Sequence, residues 1–148
     1  GREVVKVLAG LPVNIVWVDA RENEFPAQIP AHCQKLVTAS PVSVLDKLSI
    51  HDYVLVMTHN HDLDYDIVRT VLQKGGFSYL GLIGSATKRA RFDKRLQVDG
   101  IAAGDLQNLT CPIGIGSVKG KHPREIAIAV AAELLSLGIT QPAAQKAA

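Results

Sequence analysis

Three short, nearly unbroken apolar runs limit what this chain can fold into: "VNIVWVD" (residues 13–19), "YVLVMT" (53–58) and "YLGLIG" (79–84). A strand with one wet face alternates apolar and polar residues, whereas a strand covered on both faces does not. Each run has strand length, and segments with helical spacing separate them. Residues 2–11 place Val4, Val5, Leu8 and Leu11 on one face, and Gly10 and Pro12 end that helix. Leu63, Ile67, Val68, Val71 and Leu72 line a second helix, closed by Gly75 and Gly76. Residues 86–98 form a third, and 122–137 a last one, rich in Ala and Ile nearly all round and so expected to be well buried. Ser40 and Pro41 signal another helix start, and residues 34–39 a weaker strand. Strands alternating with helices in this way predict an α/β fold, a Rossmann-like doubly wound parallel sheet.

Composition agrees. The 148 residues are 47% apolar but only 5% aromatic, which suits a sheet built on Val, Ile, Leu and Ala. The length predicts one domain, residues 1–138, followed by a polar tail at 139–148. A net charge of +2 is too small to imply a nucleic-acid surface. Two cysteines, Cys33 and Cys111, argue against a disulfide framework and for a reducing cytoplasm. No apolar run predicts a membrane span, and no signal-peptide pattern opens the sequence. The chain opens at Gly1 inside an apparent helix. A first strand is therefore expected upstream, in the sheet centre beside the strand ending at Asp19.

Doubly wound sheets bind ligands beyond the carboxyl ends of their strands, so the residues after each strand are the candidates. Asp19 follows the first. It lies 18 positions after Gly1, near the separation between a glycine-rich turn and a ribose-binding acid in dinucleotide folds. It could equally cap the strand end or pair with Arg21. "HNHDLDYD" follows the next apolar run. His59 and His61 are expected in the loop, and Asp64 in the first helical turn. This cluster is read as ligand-facing rather than as a tight metal site, although Asp62, Asp64 and Asp66 also suit the helix dipole alone.

"LIGSATKRARF" (82–92) poses a sign problem. Ser85 reads as an N-cap after Gly84, yet the helix opens with Lys88 and Arg89. A helix N-terminus favours acids, by about 0.3–1 kcal/mol each when exposed. A bound phosphate would resolve the conflict by accepting from free N–H groups, Ser85 and Thr87, and by pairing with Lys88 or Arg89. Without ligand, Lys88→Glu should then stabilise the fold slightly. Arg91, Lys94 and Arg95 read as a solvated basic face. Cys111 precedes a glycine-rich turn. It is a ligand-facing thiol or a small buried hydrophobe, with no catalytic role assigned.

Together, "WVDARENEFP", "VLVMTHNHDLD", "YLGLIGSATKRARF", "CPIGI" and "KHPREIAIAVAAELL" resemble the carboxyl-terminal domain of the xanthine dehydrogenase accessory family, XdhC/CoxI type. The resemblance runs from Gly1 to Leu137. It makes Gly1 the last glycine of an upstream turn of the form G-A-G-H-V-G. It implies a cytoplasmic accessory protein, not a catalyst, that binds molybdenum cofactor (molybdopterin) and inserts it into a xanthine dehydrogenase-type molybdoenzyme. It also implies contact with the cofactor sulfurase. The cofactor's phosphate would meet Gly84, Ser85, Thr87, Lys88 and Arg89, and its pterin edge His59, His61 and Asp64. The alternatives are an NAD(P)-dependent oxidoreductase and a nucleotide-binding regulatory domain. Homo-oligomerisation stays open.

Overall fold

The computed structural model describes residues 1–142; residues 143–148, most of the expected tail, lie outside the described residues. The elements in chain order begin with α1 (Arg2–Leu8), β1 (Ile15–Asp19), β2 (Cys33–Val37), β3 (Tyr53–Val56) and α2 (His61–Lys74). They continue with β4 (Tyr79–Leu82), α3 (Ala86–Val98), α4 (Ala103–Leu106), β5 (Leu109–Thr110) and α5 (Pro123–Ser136). Short 3-10 segments occupy Glu22–Glu24 and Pro41–Lys47. The chain forms two compact units, Ser40–Ile113 and the remainder on either side of it.

In the flanking unit β1 and β2 run parallel, with Ile15 opposite Cys33 and Asp19 opposite Val37. β1 has β2 as its one strand neighbour among the described residues. Trp17 rests on Phe25, ring centroids 4.8 Å apart. Helix α1 packs on α5, where buried Val4, Val5 and Leu8 share the interior with Ala127, Val130 and Leu134. The start of α5 follows from its sequence. His122 Nδ1 accepts the Arg124 N–H at 3.2 Å, the Glu125 carboxylate accepts the His122 N–H at 3.2 Å, and Pro123 needs no partner in the first turn. The expectation that α5 is buried nearly all round is corrected. Ile128 and Leu135, seven residues apart and so on one stripe, are 57% and 43% exposed.

In the central unit β3, β4 and β5 form a parallel sheet with β4 in the middle. All four residues of β4 are buried, as its unbroken apolar run requires. Tyr65, Val68 and Val71 of α2, with Phe92 and Leu96 of α3, enclose one core with Val56, Leu80, Leu82 and Leu109. Gly81 is where another residue will not fit: a Cβ there would lie 2.6 Å from Ile113 Cγ2 and from the Tyr79 ring. Gly75 closes α2 at φ 64°, as the sequence predicts.

Parallel strands alternating with helices are the expected α/β, Rossmann-like organisation, with the strands distributed over two small sheets. Local differences have local causes. The segment after Ser40 is a 3-10 helix, not an α-helix. The Ser40 side chain makes no cap bond, and the Ser43 hydroxyl donates back to the Ser40 carbonyl at 2.7 Å, competing for the acceptor of the first turn. Helix α4 and strand β5, of four and two residues, are too short to leave a periodic signal.

Candidate functional site at the carboxyl ends of β3 and β4

Strands β3 and β4 end side by side in the central unit, and the segments that follow them enclose a cleft of about 440 Å³. Thr58, His59 and His61 line it from the β3 side. Ile83, Gly84, Ser85, Thr87, Lys88 and Arg91 line it from the β4 side, with Phe92 below. This volume falls in the ordinary range for small-ligand sites, about 300–1,000 Å³.

The β3 wall is a hydrogen-bonded turn. The Thr58 hydroxyl donates to the Asn60 carbonyl at 2.8 Å and accepts the Asn60 N–H at 3.1 Å. The Asn60 side chain caps α2, accepting from the N–H groups of Asp62 and Leu63 at 2.8 and 3.1 Å. His61, expected in the loop, is the first residue of α2, and His59 remains in the turn.

The β4 wall is the start of α3. Ser85 caps it as expected, its Oγ accepting the Lys88 N–H at 3.2 Å. The Ala86 and Thr87 N–H groups have no protein acceptor among the described residues. The cations that seemed misplaced are already compensated. Lys88 folds back over Gly84 and donates to Asp64 Oδ2 at 2.7 Å and to the Ile83 carbonyl at 3.0 Å, with its ammonium 5.5 Å from the Phe92 ring centre. Gly84 permits that path, since a Cβ there would sit 2.5 Å from Lys88 Cδ. Asp64 is fully buried, and its other oxygen accepts the Thr58 N–H at 2.9 Å. One carboxylate therefore ties the two walls of the cleft together.

Arg89 does not reach the cleft, contrary to expectation. Its Nε donates to Asp93 at 2.8 and 2.9 Å, and its two terminal nitrogens donate to the Leu106 and Leu109 carbonyls. It staples α3 to α4 and β5, satisfying carbonyls that short elements leave open. Arg95 stays exposed, as expected, with its guanidinium 3.8 Å from the Tyr65 ring centre and 3.6 Å from Asp62. The residue that sequence reading missed is Arg91. The sequence groups it with the solvated cations, and in the fold it also lines the cleft. Its position four residues after Thr87 puts both on one helical face, and that spacing was the available signal.

Other candidates lie elsewhere. Asp19 receives three hydrogen bonds from Arg21, through its backbone N–H, Nε and Nη2 at 2.9–3.0 Å, the pairing that the sequence left open beside the ribose reading. Gly1 caps α1, its carbonyl accepting the Val5 N–H at 3.0 Å. Both belong to the flanking unit. Cys111 borders the central core, with Sγ 3.9 Å from the Ser85 carbonyl. Burial pushes its thiol pKa up, against the opposing pull of Lys88 and Arg89, so it stays protonated at neutral pH rather than becoming a nucleophile. Among the described residues no three His, Cys, Asp or Glu side chains gather to hold a metal ion, and no helix is long and apolar enough to cross a membrane.

Comparison with known proteins gives a consistent answer. The chain is 28% identical over 144 residues to the Escherichia coli protein YqeB, matching 95% of this chain but 26% of YqeB. It superposes with a TM-score of 0.76 and 26% identity on a Bacillus halodurans protein described as a xanthine dehydrogenase, covering 96% of this chain and 40% of that one. The chain thus spans between a quarter and two-fifths of the length of these relatives. The family model described as the XdhC Rossmann domain matches residues 1–134, and the chain belongs to that family.

Proposed function

We propose that this chain is the cofactor-binding part of an accessory protein serving a xanthine dehydrogenase-type enzyme, and that its cargo is molybdenum cofactor. Family membership and the Bacillus neighbour support the link to a xanthine dehydrogenase system. The observation that carries the ligand class is the composition of the cleft. Three hydroxyls, two histidines and two cations line it, and no carboxylate does. A pyranopterin ending in a phosphate matches this set. Ser85, Thr87 and the unengaged first-turn N–H groups suit the phosphate, and His59, His61 and the Thr58 hydroxyl suit the polar pterin edge. In this reading the cleft residues hold and orient a bound cargo. The rival reading, a dinucleotide-dependent oxidoreductase, leans on Asp19, whose carboxylate is already held by Arg21.

The test is mass spectrometry of small molecules that co-purify with the full-length protein, followed by transfer to a cofactor-free xanthine dehydrogenase-type enzyme. Molybdopterin in the purified protein and restored activity in the acceptor are expected. A nicotinamide dinucleotide in its place would overturn the proposal in favour of the oxidoreductase.

A further inference from the structure

The basic residues of α3 differ in one respect that sequence does not show. Lys88 is paired with Asp64, Arg89 with Asp93 and Arg95 with Asp62. Arg91 has no carboxylate partner among the described residues, and it lines the cleft. Lys94 has none either, but it is not part of the cleft wall. A paired, largely buried ammonium brings little net charge to its surroundings, because the adjacent carboxylate cancels most of its field. The uncompensated positive charge of a cavity that no acid lines therefore resides on Arg91. A guanidinium is also the group that matches two oxygens of a phosphate at once. Thr87, one turn before it on the same face, offers a hydroxyl to the third.

We propose that Arg91 is the specificity-determining residue of the cleft, reading a terminal phosphomonoester together with Thr87, while Lys88 shapes the cavity floor and Arg89 takes no part. This rests on the functional reading above only for the identity of the molecule behind the phosphate; the charge argument stands on the cleft alone.

The experiment titrates the 148-residue chain with three probes: inorganic phosphate, and the pyranopterin cofactor with and without its terminal phosphate. Amide chemical-shift changes report binding. Arg91→Ala is expected to weaken both phosphate-bearing probes by about 10- to 100-fold, the worth of a charge-assisted contact. The dephosphorylated pterin should change less than about twofold, a discrimination that a merely structural loss would not produce. Lys94→Ala serves as the control and should match the parent. Arg91→Lys should recover part of the loss. Equal weakening of all three probes, or equal behaviour of Arg91→Ala and Lys94→Ala, would overturn the assignment. Arg91-dependent binding of phosphate with no binding of either pterin would sustain the assignment and remove the molybdenum-cofactor reading. Tight pterin binding that ignores Arg91 would do the reverse.

Discussion

Asp64 is the residue whose removal should hurt most. It is fully buried, its partner Lys88 has a side chain only 13% exposed, and Nζ and Oδ2 are 2.7 Å apart. Replacing Asp64 by Ala leaves an ammonium at the base of the cleft with the Ile83 carbonyl and the Phe92 ring as its remaining contacts. It also strips the Thr58 N–H of its acceptor. Breaking a buried ion pair from one side costs about 3–5 kcal/mol. A domain of ordinary stability has about 5–15 kcal/mol in all. Urea unfolding should therefore show a large fall in midpoint at unchanged slope. Lys88→Met should cost a similar amount. The double change Asp64→Leu, Lys88→Met should recover most of it, because an apolar pair of similar volume strands neither charge. The same comparison reverses an expectation from sequence. Lys88→Glu would regain at most about 1 kcal/mol from the helix dipole while placing a second carboxylate against Asp64, so it should destabilise the ligand-free protein. A cost below about 1 kcal/mol for Asp64→Ala, or single effects that simply add in the double variant, would refute the reasoning.

Arg89→Ala should lower stability by about 2–4 kcal/mol, since three acceptors lose a charged donor, yet leave phosphate affinity within twofold; a phosphate titration of the folded variant checks this. The Tyr65 phenol, buried and donating to Asp99 at 2.6 Å, is pushed up to about 12 from 10.0. Its contribution to stability is complete below pH 10 and disappears as pH rises toward 12, and Tyr65→Phe should remove the late component of an absorbance titration near 295 nm. Cys111 should resist alkylation at pH 7 in the folded chain and react faster as pH rises above the ordinary thiol range, measured by mass spectrometry; fast labelling at neutral pH would contradict its burial-raised pKa.

Sequence patterning reached the architecture because burial on both faces writes itself into consecutive residues. The cores of β1, β3 and β4 coincide with the three apolar runs, and α2 with its apolar stripe. Ser85 could be read as a cap because a cap is a local contact. The role of Asp64 could not. Its partner is 24 residues away, and an acid in a first helical turn already has an adequate local explanation in the dipole. The same holds for Arg89, whose carbonyl partners belong to elements too short to be foreseen. Cations at a helix start do signal missing negative charge, as the sequence suggested. For Lys88 and Arg89 the chain supplies that charge itself, from Asp64 and Asp93. Arg91, one turn on, is the cation of the cleft wall that has no carboxylate partner among the described residues.

Ligand binding followed residue by residue decides the matter. A titration of the chain with phosphorylated pyranopterin, observed by amide chemical shifts, should move Thr58–His61 and Ser85–Arg91 together, with saturation at one equivalent. Removal of the phosphate should abolish the shifts of Ser85–Arg91 first. Shifts confined to residues around Gly1 and Asp19, or none at the ends of β3 and β4, would contradict the assignment of this cleft as the cofactor site.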